Sequence, residues 1–215
     1  MKAGNLNLAE EIRFEPDKGL VSFQGNRLVI FEASAMGLLR QELISAMGWD
    51  QARTFMLRFG YQNGMADYLK MRDSGRFDDE RELLLAGPVL HSWEGIVQAV
   101  ARHIEFDREA GEFEFTGVWH NSYEADQHLQ HQHLFFDGIG DGPVCWSLMG
   151  YASGWSTAFF GQPLVAIEPL CRGKGDDHCE WLIKPPSKWG KEAKPYIDAL
   201  KGFWDKDNLD MENPQ

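Results

Sequence analysis

Apolar residues recur at helical spacing through Met36, Leu39, Leu43, Ile44 and Met47. This periodicity predicts a helix over 34–47, with Ser34 as N-cap and Gly48 as stop. Upstream, residues 1–19 are polar and carry weak signals. Val21–Phe23 and Arg27–Ala33 read as short strands around a Gly25–Asn26 turn. Asp50 caps a second predicted helix over 51–59, and a third over 64–71 follows the break Gly60-Tyr-Gln-Asn-Gly64. The charged segment 72–82 reads as surface. Gly87–Pro88 opens a further helix with His91 one turn in, because proline is favoured where its missing N–H costs nothing.

Two strands over 102–107 and 112–123 make a hairpin around Asp107–Gly111, with Trp119 in the second. A helix over 125–136 and a loop over 137–142 follow. The uncharged run Gly142–Ile167 is as long as a membrane span. Ser147, Ser153, Ser156, Thr157 and Gln162 oppose that reading, and Gly161–Pro163 interrupts the run. It divides instead into a buried helix, 143–160, and a buried strand, 164–167, which pairs with 178–183. Pro185–Pro186 ends the core, an amphipathic helix occupies 187–204, and 205–215 is a polar tail. Helices with antiparallel hairpins make an α+β fold, an antiparallel sheet packed with helices.

The length, 215 residues, suits one domain with a core that needs no disulfide staples. Net charge is −12 with no run of Lys and Arg, which argues against nucleic-acid binding by this chain. Met1–Glu10 has no apolar signal region, and three cysteines cannot close a disulfide framework, so a cytoplasmic setting is expected. No phosphate-loop, nucleophile-elbow or zinc-protease motif occurs.

The candidate chemistry centres on 145–179, which holds all three cysteines. A Gly-rich turn of seven residues separates Cys171 from Cys179 and can bring the two thiols together, and Cys145 lies near the start of the buried helix. Glu168 stands three residues before Cys171, with Pro169 bending the strand between them. Three thiolates and one further ligand, Glu168 or His178, make a closed tetrahedral zinc site of structural type. The competing reading is three ordinary buried thiols. His91 and Trp119 each set a polar ring nitrogen in an apolar context, a pair suited to holding one hydroxyl in a cavity, or else two core residues. His128, His131 and His133 cluster on a polar stretch better explained as an exposed helix end than as a metal site.

The motifs GPVCW, GYASGW-STAFFG and CRGKGDDHC, with LLAGPVLH, FMLRFGYQNG and SAMGLLRQE, resemble the amino-terminal sensor domains of aromatic-responsive, sigma-54-dependent transcription activators, of the 4-vinyl-reductase type. The resemblance runs from about Phe23 to Trp189. It implies one zinc on Cys145, Glu168, Cys171 and Cys179, as a zinc-pinned hairpin beside a buried ligand pocket. It implies that His91 and Trp119 hold a ligand hydroxyl, with Leu84, Gly117, Tyr151 and Trp155 shaping the pocket. Phenol sensors carry an aromatic where Leu84 stands and a larger residue near Gly117, and Trp155 replaces a common Tyr. The smaller residues at 84 and 117 are expected to admit a bulkier or non-hydroxylated aromatic. The family reading further implies a homodimer and no catalysis. Segment 1–33 would serve dimerisation, 34–184 ligand sensing, and 185–215 would lead toward linked ATPase and DNA-binding domains outside this chain. A stand-alone enzyme or assembly factor for an apolar or tetrapyrrole substrate is the alternative.

Overall fold

The computed structural model describes residues 1–131 and 142–204. A short helix, α1 (Leu8–Glu11), leads into a small antiparallel sheet of β1 (Arg13–Glu15), β2 (Leu20–Phe23) and β3 (Asn26–Leu28). Helix α2 (Ala33–Met47) follows, and Gly48, at φ 81°, stops it as expected. Ser34 is not its N-cap: Glu32 holds that position, and Ser34 Oγ donates to the Glu32 carboxylate.

The two helices expected over 51–59 and 64–71 are one helix, α3 (Trp49–Asp73). Gly60 and Gly64 do not break it. They form a bare stripe against which α6 (Trp146–Phe160) lies backbone to backbone. A Cβ at Gly60 would overlap the Ser147 carbonyl, and one at Gly64 the Tyr151 carbonyl. Gly150 and Gly154 repeat the arrangement from α6 against Leu57 and Tyr61.

Helix α4 (Glu80–Trp93) also starts earlier than expected. The Asp79 side chain accepts from the Glu82 N–H and caps it, which leaves Pro88 in the helix interior. Strands β4 (Gln98–Asp107) and β5 (Glu112–His120) form the expected hairpin, with β4 starting four residues earlier than its polarity predicted. Helix α5 (Tyr123–His131) comes next; the remainder of the helix and loop expected over 125–142 falls mostly outside the described residues.

Strands β6 (Val165–Leu170) and β7 (Cys179–Lys184) complete a second antiparallel sheet in the order β4-β5-β7-β6. Helix α6 is apolar on all sides because α3 covers one face and the sheet the other. Its hydroxyls are used internally: Ser153 Oγ donates to the Met149 carbonyl and accepts from Ala166 N–H, and Thr157 Oγ1 accepts from Leu164 N–H at 3.0 Å. These bonds sew α6 to β6 and explain the polar residues of the apolar run. Among the described residues no helix is long and apolar enough to cross a membrane.

The last helix, α7, spans Lys194–Trp204 rather than 187–204. Pro195 belongs in a first helical turn, so the helix cannot extend upstream through it. Phe203 stacks on the Tyr61 ring at 5.0 Å, and Trp204 Nε1 donates to the Tyr61 hydroxyl at 3.2 Å. The architecture is α+β, with antiparallel sheets packed against helices.

Candidate functional site

Cys145 is the N-cap residue of α6, yet its side chain does not cap the helix. Glu124 of α5 does so from outside, accepting from Ser147 N–H at 2.9 Å and Leu148 N–H at 3.2 Å. The Cys145 thiol is thereby free to turn toward the β6–β7 hairpin. In that hairpin Ile167 pairs with Leu182 and Leu170 with Glu180, so β6 carries one extra residue, a bulge at Glu168–Pro169. The bulge breaks strand alternation and lets Glu168 and Cys171 face the same way. Cys179 opens β7 opposite Trp119.

Ligand atoms of Cys145, Glu168, Cys171 and Cys179 all lie within 4.8 Å of one another, and all four side chains are buried. A tetrahedron with bonds of about 2.3 Å has edges of about 3.7 Å. The four donors therefore need only small rotations to close around one ion. Burial pushes the Cys145 thiol and the Glu168 carboxyl well above their ordinary values. Hydrogen bonds from Cys145 and Cys179 pull the Cys171 thiol well below its ordinary value. Four acidic groups this close cannot all ionise by themselves, whereas a divalent cation lets them do so. Among the described residues Glu168 Oε1 has no hydrogen-bond partner, as a ligating oxygen held for a cation would have none. The donor set therefore fits a closed structural metal site.

His178, the other candidate fourth ligand, lies outside this group; its Nε2 faces Glu180 Oε2 at 3.6 Å. His128 is buried beside Trp49, and His131 Nδ1 bonds the Gln127 carbonyl. His133 lies outside the described residues. Sequence reasoning missed Arg40. Its buried guanidinium lies 4.1 Å from the Trp146 ring centroid, and none of its nitrogens has a hydrogen-bond partner among the described residues. No local pattern announces such a residue, because its environment is built by α5 and α6.

Two turns along α6, a cavity of about 30 Å³ opens between that helix, α4 and the sheet. His91, Trp119, Tyr151 and Trp155 all line it. The His91 ring lies 3.7 Å from the Tyr151 ring, and burial lowers its pKa to about 3. The imidazole is therefore neutral at pH 7, with one nitrogen to donate and one to accept. The Trp119 indole nitrogen, a donor only, belongs to a residue that lines the same cavity. An engineered cavity that takes up benzene measures about 150 Å³. A ring therefore enters this one only as lining side chains give way.

Leu84 and Gly117 do not line the cavity. Leu84 acts through its carbonyl. Pro88, four residues on, has no N–H to give it, and Trp155 Nε1 donates instead at 3.1 Å. Gly117 does not leave room for a bulkier ligand. It pairs with Trp181 across β5 and β7, and the Trp181 ring fills the place of a side chain there. Trp181 and Phe115 are lining residues that sequence reasoning missed. The alternation Cys179, Trp181, Ile183 on β7 carried the signal, since all three point to the buried face.

Residues 7–107 match the family model described as an activator of aromatic catabolism, and residues 133–185 match the model of the 4-vinyl-reductase domain. The chain is 33% identical to the phenol regulator MopR of Acinetobacter guillouiae over 85% of its length. It is 34% identical to the transcriptional regulatory protein XylR of Pseudomonas putida over 86% of its length. It spans 32% of each of these relatives, about a third of their length. The crystal structure of the phenol-responsive sensory domain of the transcription activator PoxR, with phenol, superimposes with a TM-score of 0.78. That likeness has 29% identity and covers 97% of this chain and 95% of the other. With both family segments in order and a sensory domain matched nearly end to end, the chain belongs to the amino-terminal aromatic-sensing domains of sigma-54-dependent transcription activators.

Proposed function

We propose that this domain binds a small aromatic compound in the cavity beside α6 and passes that event to ATPase and DNA-binding domains linked to it, relieving their repression in the cytoplasm. One observation carries the reading. His91 and Trp119 both line one apolar cavity, and their ring nitrogens suit a single hydroxyl between them. The matched sensory domain was solved with phenol, which supports a ligand of that class. Zinc on Cys145, Glu168, Cys171 and Cys179 would fasten the hairpin to the start of α6, and it would leave no open coordination position for chemistry.

The protein acts as a homodimer in this reading, through the 1–33 segment and α2. Val29, Ile30 and Phe31 are consecutive and exposed, Ile30 by 71%, and Leu38 and Leu39 on α2 are exposed as well. Apolar residues concentrated in this way mark a surface that associates. The sensing function lies in 34–184, and 185–215 leads toward the linked domains.

Calorimetry with phenols, alkylbenzenes and biaryls tests the reading. Phenols are expected to bind, and His91→Ala is expected to weaken them about tenfold while alkylbenzenes change little. Equal losses for both classes would leave His91 as core packing alone.

A further inference from the structure

Three indoles line the cavity, and they differ in what their N–H groups do. That of Trp155 is committed to the Leu84 carbonyl. That of Trp119 belongs to the hydroxyl-holding pair proposed above. That of Trp181 is buried and has no hydrogen-bond partner among the described residues. The ring that carries it is held firmly. Phe115 meets it edge-on at 4.6 Å, Trp119 lies at 6.2 Å and 31°, and a Cβ at Gly117 would come within 2.6 Å of its Cε2. Cε2 is bonded to the indole nitrogen, so the absence of a side chain at 117 seats the N–H-bearing part of the ring. A protein seldom buries a donor without pairing it, because the lost hydration is not replaced. Trp181 lines the cavity that His91 and Trp119 also line.

We infer that Trp181 is a specificity-determining residue: its N–H takes a hydrogen-bond acceptor on the aromatic ligand, so the sensor selects rings bearing an acceptor substituent, such as nitro or carbonyl. This rests on the sensor reading above and narrows its substrate class. It also replaces the expectation of a bulkier ligand, since the Gly117 space is occupied. Selection arises because an acceptor satisfies the donor and a hydrocarbon of the same shape leaves it unpaired.

Nitrobenzene and isopropylbenzene are close in shape and differ in this respect, so they serve as the probe pair. Binding of each to the whole chain is measured by calorimetry, for the wild type and for Trp181→Phe, with phenol alongside. The variant is expected to lose about tenfold in nitrobenzene affinity while isopropylbenzene stays within about twofold. In the wild type, the ¹⁵N–H resonance of the Trp181 indole is expected to move with nitrobenzene and to stay with isopropylbenzene. This second measurement does not depend on the variant folding. Equal changes for both probes, or an indole resonance indifferent to nitrobenzene, overturn the role of Trp181 while phenol binding keeps the sensor reading in place. If no ring compound binds the wild type, phenol included, both fall together.

Discussion

Cys179 shows how much one side chain has to do here. It begins β7, faces Trp119 across the sheet, and brings its sulfur to the other three donors. Zinc bound there would join folding to metal uptake, because Cys145 and the hairpin donors come from separate elements. We expect about one zinc per chain by elemental analysis and a lowered melting temperature for Cys179→Ala, with the metal lost. A parent without zinc, together with an unchanged melting temperature in the variant, would remove the metal from the account. His91 illustrates a result of burial: desolvation lowers the imidazole to about 3. The neutral form is favoured, which suits a wall that must receive an uncharged ring.

At the scale of elements, the α3–α6 pair sets the tolerance of the fold. Gly154 meets the Tyr61 carbonyl and Gly150 that of Leu57, with no side chain between the helices. Gly154→Ala is therefore expected to cost about 1–3 kcal/mol, because two backbones must separate. Chemical denaturation measures it, and a neutral result would mean that α6 slides at little expense. The same glycines mark the limit of what could be read from the chain. Gly60 and Gly64 look like a helix break in one dimension, and only the partner helix reveals them as a packing stripe. Pro88 misled in the same way: a local rule puts proline at a helix start, whereas the Asp79 cap and the Trp155 donor let it stand inside. Elements with a strong local pattern were legible, among them α6, the β4–β5 hairpin and the thiol-flanked turn. The Pro169 bend was legible too. The Glu124 cap, the burial of Arg40 and the seat of Trp181 were not, since each depends on segments distant in sequence.

Over the whole molecule, Val29, Ile30 and Phe31 form a consecutive exposed apolar run, with Leu38 and Leu39 exposed on α2, while Phe14, Phe55, Phe59, Trp93 and Val100 are exposed on other elements. We expect the chain to sediment as a dimer and Ile30→Asp with Phe31→Asp to yield a monomer of unchanged far-ultraviolet circular dichroism. A monomeric parent would take the dimer out of the proposal. The contacts of Tyr61 bear on how a bound ring is felt elsewhere. Its carbonyl touches Gly154, its ring carries Phe203, and its hydroxyl accepts from Trp204. The cavity thus has a yielding wall and an unyielding one. Behind α6, at Gly150 and Gly154, stands the backbone of α3 in direct contact, and Tyr61 of α3 carries the end of α7. Swelling of the cavity either displaces α4 and the sheet or drives α6, α3 and α7 together as a block. In the second case the structure would work as a pushrod whose stroke reaches the end of α7 at Trp204.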